Sequence, residues 1–248
     1  MFTKISSVLL IISLLVFTSC KKEEPEKPFV FNGSSFLEMV TDAINGNQAS
    51  KKILQGLYNF NSPLNSYNKI LVDSILINNS SYYTLLLENQ NPVNNLFAIV
   101  DKDLNVLIKD ESLNGYLNLN FKKSGSKIFV VITEEFVSKE SIQLKRISYY
   151  SLEQYASELA FRQFTNFKTQ DKEAEQIISV VSDTAIVTNI FYPLSKTGKT
   201  SKDVFNFNVG LQKYLSDKNL FDTLVHREIR AVKTFSNKNL LIDTIKNY

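Results

Sequence analysis

A single cysteine, a single histidine and no tryptophan set the first limits on what this chain can do. Multi-histidine metal centres are excluded by count. The one histidine, His226 in Leu224-Val225-His226-Arg227-Glu228, could still serve a triad. No serine, however, sits in the Gly-x-Ser-x-Gly setting of a nucleophile elbow, so a structural or solvated histidine is the expectation. The lack of tryptophan removes the strongest ring for cation contacts and a frequent stacking platform for sugars. Tyr82-Tyr83 and Tyr149-Tyr150 could each present one exposed ring, because neighbouring strand residues face opposite ways, but core or edge packing is the expectation. An excess of charge is also missing: the formal net charge is +3, including Lys4, which is too near neutrality for a nucleic-acid partner. The apolar run Val8 to Phe17, interrupted only by Ser13, is too short to span a membrane. As a helix it would be about 15 Å long against a hydrocarbon core of about 30 Å.

What that run does carry is an address. Lys4, the apolar stretch and then Thr18-Ser19-Cys20 follow the layout of a secretory signal. An ordinary cut after Ser19 would place bulky Phe17 at a position that wants a small residue, so a different processing route fits better. Phe17-Thr18-Ser19-Cys20 resembles the lipobox of bacterial lipoprotein precursors, typically Leu, a small or β-branched residue, Gly/Ala/Ser and an obligatory Cys, with Phe17 standing where Leu is usual. The resemblance covers the targeting segment alone. It implies that residues 1–19 are a signal peptide and that Cys20 is lipidated and becomes the N-terminus. Each buried CH₂ contributes about 0.8 kcal/mol, so one acyl chain holds only marginally, while the diacylglyceryl thioether and amide-linked chain of that family hold stably. A randomly placed cysteine would fall in a given two-position window roughly 1% of the time, and a leftover cysteine in a secreted chain needs a reason. Once lipidated, Cys20 leaves no thiol for disulfides, zinc or nucleophilic catalysis in an oxidising compartment.

Lys21-Lys22-Glu23-Glu24-Pro25-Glu26-Lys27-Pro28 has the composition of an extended tether, assigned here to residues 20–33. Lys22-Glu23-Glu24 resembles the acidic signal by which some Gram-negative bacteria export lipoproteins across the outer membrane. That resemblance implies a lipid-anchored outer-membrane protein displayed at the cell surface, the periplasmic face being the alternative.

Beyond the tether, 44% hydrophobic and 21% charged residues describe a globular body. Ser34 or Ser35 is placed to cap a helix carrying Phe36, Leu37, Val40, Ala43 and Ile44, and Ala49 to Phe60 repeats the pattern. A helical hairpin over 34–66, packed on the body, follows. From Asn68 the period falls to two, and strands are expected at Lys69–Ile77, Tyr82–Glu88, Leu96–Val100, Asn105–Lys109, Gly115–Phe121, Lys127–Thr133 and Ser141–Tyr150. Short polar turns between them make an antiparallel meander the simplest topology. Leu152, Tyr155, Ala156, Leu159 and Phe164 fall on one helical face and predict a further helix near 151–167. Ala174 to Tyr192 breaks at Ser182-Asp183 into two strands. Val204–Val209 and Leu240–Ile245 read as strands, while Leu211–Leu215 and Leu224–Phe235 fit either state. The fold class is therefore α+β: an N-terminal helical hairpin, an antiparallel β-rich body over 67–248 in a meander or sandwich, and the one further helix.

Asp101, Asp103 and Asn105 place oxygen ligands at the alternate positions that open a calcium loop. The position that needs Gly is Val106 and the twelfth is Ser112, so a hairpin turn is expected and a metal site is only the alternative. Gly198-Lys199-Thr200 has the tail of a phosphate-binding loop, but Pro193 stands at its first glycine and an alternating segment follows. No nucleotide partner and no cofactor are expected. Glu134-Glu135 is one place to look for paired carboxylates, yet adjacent acids on a strand face opposite ways, and the pair reads as a solvated strand end. The function expected is a non-catalytic binding or structural role for a protein held to the membrane through Cys20, with a protein or glycan ligand. The alternatives are a surface hydrolase or glycan-processing accessory using carboxylates, and a calcium-stabilised display domain.

Overall fold

The computed structural model describes residues 33–58, 64–77, 79–90, 94–137, 142–152, 158–192 and 200–231. Cys20 and its tether as far as residue 32, Gly198-Lys199 and the strand expected at Leu240–Ile245 lie outside the described residues, while Gly33, expected to end the tether, already belongs to a helix. The architecture is α+β: a helical hairpin, two antiparallel sheets and a further helix near the C-terminus.

Helix α1 (Gly33–Ile44) buries Phe36, Val40 and Ala43, a spacing of four and three that puts them on one face. Ser34 and Ser35 lie inside its first turn. The break comes at Gly46, whose φ of +99° suits a residue without Cβ. Asn47 then caps α2 (Gln48–Tyr58), its Oδ1 accepting from Ala49 N at 3.0 Å and Ser50 N at 3.1 Å.

Strands β1 (Tyr67–Ile77), β2 (Ser80–Asn89), β3 (Asn95–Asp101) and β4 (Val106–Leu113) form a four-stranded sheet in that order. Eight more follow in a second sheet: β5 (Tyr116–Ser124), β6 (Lys127–Val137), β7 (Gln143–Ser151), β8 (Glu158–Lys168), β9 (Glu173–Ser182), β10 (Ala185–Phe191), β11 (Thr200–Asn208) and β12 (Lys213–Leu215). Each strand pairs antiparallel with its neighbour in sequence, so both sheets are meanders. The α1–α2 hairpin covers the first sheet on one side, with α1 against β1 and the Phe36 ring 6.3 Å from that of Tyr83.

The helix expected near 151–167 is overturned over its second half, which is strand β8, while residues 153–157 lie outside the described residues. The reason is a pair of β-bulges. Tyr149 pairs with Phe161 and Tyr150 with Leu159, leaving Ala160 extra; Arg146 pairs with Phe164 and Lys145 with Asn166, leaving Thr165 extra. Each insertion flips the side-chain alternation, so buried residues fall at 160, 161, 163, 164 and 167. That spacing imitates a helical stripe. The further helix is instead α3 (Leu220–Ala231), in a stretch whose pattern fitted either state, and it buries Phe221, Val225 and Ile229 at spacings of four.

The second sheet folds back on itself. β8 and β9 are hydrogen-bonded only where 166–168 meets 173–175, and beyond that short ladder the halves β5–β8 and β9–β12 part and face each other. Phe129, Tyr149 and Phe161 from the first half enclose a core with Ile186, Phe205 and Tyr214 from the second, and the Phe161 and Phe205 rings meet edge to face at 5.1 Å. The opposite face of β5–β8 packs on the first sheet through Leu86, Phe97, Ile99, Val130, Ile132 and Tyr150. β6 and β7 are therefore covered on both sides. This explains why Tyr149 and Tyr150 are both buried and neither presents a ring to solvent.

The chain passes from one sheet to the other at Asn114-Gly115. Gly115 has φ +79°, and a Cβ there would stand 2.3 Å from the Glu135 carbonyl oxygen. Gly115→Ala is expected to lower stability by more than about 1 kcal/mol, combining a left-handed backbone with a clash against main chain. Urea unfolding checks it; a change within error would mean the corner relaxes.

Candidate functional site

The chemistry-bearing side chains converge between the sheets and beside α3. On β6 and β7, register places Glu134 opposite Arg146 on the inward face and Glu135 opposite Lys145 on the outward one. Glu134 is thus buried, 3% exposed, and the reading of a solvated strand end holds for Glu135 alone. Arg146 grips Glu134 through Nε and Nη2, and its Nη2 also donates to the Ser112 carbonyl at 3.0 Å. Asn114 N donates to Glu134 Oε1 at 2.8 Å, so the pair is tied to the corner between the sheets.

A second pair lies beside the first. Arg162 on β8 donates to Asp110 on β4, to Ser112 Oγ at 2.8 Å and to Ser148 Oγ at 2.7 Å. The Tyr150 hydroxyl donates to Asp110 Oδ2 at 2.7 Å and accepts from Arg162 Nη2 at 2.8 Å. Burial pushes the Asp110 carboxyl up, but the Arg162 guanidinium and the donors from Ser112 and Tyr150 outweigh it and hold the group at about 2. Burial, with the Asp110 charge beside it, raises the Tyr150 phenol well above its ordinary value. A phenol so held is a fixed donor, and the whole layer fastens one sheet to the other.

At the α3 end the seam is closed by side chains. Where β8 parts from β9, Phe164 N donates to Asp222 Oδ1 at 2.9 Å and the Phe164 carbonyl accepts from Gln176 Nε2. Asp203 on β11 receives Leu220 N at 3.0 Å, satisfying a first-turn amide of α3. Burial raises the Asp222 carboxyl to about 7 despite the Phe164 amide and the Arg146 charge, which both pull it down.

The outer side of α3 borders a groove of about 370 Å³ with an apolar floor that includes Phe167, Ala174, Tyr192 and Leu224. Two of its three acids are engaged, Glu228 with Lys172 and Arg227 and Glu173 with Lys168 at 3.3 Å, while Asp171 is exposed. The Lys172 hydrogen bond, against a smaller effect of burial, holds the Glu228 carboxyl below its ordinary value. A glycosidase acid needs the opposite shift.

No family model, curated protein or solved structure matches this chain. The positions singled out in the sequence are therefore judged on geometry alone. Asp101, Asp103 and Asn105 form the turn between β3 and β4: Asp101 Oδ1 accepts from Asp103 N and Asn105 N, each at 2.9 Å, and Oδ2 accepts from Asn105 Nδ2 at 2.9 Å. Burial pushes the Asp101 carboxyl up, but those bonds together outweigh it and lower the group, and they make Asn105 a donor toward Asp101 where a metal would need its oxygen. Thr200, last residue of the Gly198-Lys199-Thr200 stretch, opens strand β11 and not the helix of a phosphate loop. His226 lies half-buried on α3, its ring edge-to-face with Phe164 at 6.1 Å. The pairs Glu134–Arg146 and Asp110–Arg162 were missed, since their members are 12 and 52 residues apart. For the first, the signal was available: a β6–β7 hairpin in register puts the two side by side.

Proposed function

We propose that this chain is a lipid-anchored envelope protein, held on the outer membrane through Cys20, whose folded body acts by binding or structural association with a protein or glycan. The observation that carries the reading is the placement of the only cysteine directly behind a short apolar run and a charged start. The state of the carboxylates supports binding over carboxylate hydrolysis: Glu134, Asp110, Glu173 and Glu228 each face a cationic side chain, and Asp222, the acid whose value is raised to about 7, is only 2% exposed and accepts from Phe164 N. A hydrolase would need one acid held protonated and a second within reach across a cleft.

Cys20→Ser is expected to abolish incorporation of labelled fatty acid and to move the protein out of the membrane fraction. Equal labelling and partition of the two forms would remove the lipid anchor.

A further inference from the structure

Three turns at one end of the second sheet are tied together. The β5–β6 turn is latched to the β9–β10 turn by Ser126, whose N and Oγ donate to Asp183 Oδ2 at 3.2 and 2.7 Å. The β11–β12 turn joins them through Phe207 N to the Thr184 carbonyl at 2.8 Å and through the Tyr214 hydroxyl to the Asp183 carbonyl at 2.9 Å.

The composition of the last turn is inverted. Asn and its like commonly close a hairpin turn through its backbone, and in a solvated tip the positions left facing water are polar as well. Here Asn208 Oδ1 accepts from Leu211 N at 2.9 Å and Gln212 Nε2 donates to the Val209 carbonyl at 2.7 Å, so the polar residues are spent closing the turn. The apolar ones are held outward: Val209 is 73% exposed and Leu211 57%, and Val181 beside the β9–β10 turn is 62% exposed. Directly behind this tip Phe207 pairs with Tyr214 across the ladder, their rings 5.0 Å apart, and Lys127 Nζ stands 3.3 Å over the Phe207 ring. Lys122, Lys123, Lys127 and Lys213 belong to these turns and their flanks, against one acid, Asp183, which accepts from Ser126 and faces the charge of Lys127. Glu158 opens β8 at the same end of the sheet.

We infer that this tip docks on an anionic lipid surface, Val209 and Leu211 entering the acyl boundary while the lysines meet headgroup phosphates. The layering fits that partner: apolar residues outermost, then aromatic rings with a cation over them, the order in which an interface changes from hydrocarbon to headgroup. A positive fringe around the apolar pair complements anionic lipid and gives an attraction that salt weakens. The inference goes beyond the proposed anchor, since it concerns the folded body and requires no acyl chain.

The absence of tryptophan makes a direct test possible. The chain from Lys21 onward, without Cys20, is mixed with vesicles of phosphatidylethanolamine and phosphatidylglycerol or with phosphatidylcholine alone. Leu211→Trp should shift its emission to the blue and be quenched by brominated acyl chains on anionic vesicles, more weakly on neutral ones. Leu76→Trp, on the 66% exposed site of edge strand β1, should do neither. In the original background, the pair Val209→Asp and Leu211→Asp should lower vesicle partition by about tenfold or more with unchanged thermal unfolding, because neither side chain supports the turn. Absence of a shift at Leu211→Trp, equal quenching at both reporters, a shift that occurs without vesicles through self-association, or undiminished partition of the Asp pair would each overturn the inference. Because no lipid is attached in this experiment, its outcome is independent of the Cys20 test.

Discussion

Arg146→Met is expected to destabilise the protein by about 3–5 kcal/mol, among the largest effects of any single change. The substitution leaves the Glu134 carboxylate 3% exposed with its guanidinium gone and Asn114 N as its remaining partner. Replacing both partners, Glu134→Leu with Arg146→Met, removes the stranded charge, so the double variant should lose less than either single. Its residual loss comes from the unsatisfied Asn114 amide, roughly 1–3 kcal/mol. The control lies one residue along the same ladder. Lys145 and Glu135 pair across the outer face with about half of each side chain exposed, and Lys145→Ala should change stability by no more than about 1 kcal/mol. Urea unfolding of the four variants decides it. A double variant no better than Arg146→Met, or buried and exposed pairs of equal cost, would show that burial does not set the value of the ion pair.

Asp222 should make stability fall as pH rises. Its folded value of about 7 lies above the ordinary 3.8, so between these two the folded chain keeps a proton that the unfolded chain releases. Raising pH through that window favours the unfolded state. The contribution is fully present below about 4, declines toward 7 and is gone above, a difference of up to about 4 kcal/mol. The charge acting on Asp222 is that of Arg146 on β7, which draws its proton off. Asp222→Asn keeps an oxygen for Phe164 N and reproduces the protonated form without titrating. That variant should match the parent near pH 4 and exceed it in melting temperature near pH 8. Asp110 acts in the other direction and elsewhere: its value of about 2 contributes stability above about 4 that is lost as pH falls toward 2. Parallel profiles for parent and Asp222→Asn from pH 4 to 8 would defeat the prediction.

Most of the fold was legible because each strand carries a local signal. Alternation and polar turns located strands from Lys69 to Tyr150, the break at Ser182-Asp183 and the strand near Val204. β8 was misread because two inserted residues, Ala160 and Thr165, altered the very period that identifies a strand. α3 was ambiguous since Leu224, Val225 and Ile229 suit either state, and what settles it lies far off in sequence: Asp203 meeting its first turn and Phe164 accepting its face. The ionic layer was hidden for a related reason. Arg146 and Arg162 become buried only once two sheets close over them, and nothing in their immediate neighbours announces that.

The strictly consecutive pairing of the strands has a consequence for how the chain reaches its final form. With no crossover to wait for within either sheet, each new strand finds its hydrogen-bonding partner in the segment just before it, and the short links keep the entropy of closing each loop small. A polypeptide delivered end first through a narrow conduit could therefore lay down each sheet one hairpin at a time. Only the meeting of the layers, sealed by Glu134, Arg146, Asp110 and Arg162, must wait until most of its length has emerged.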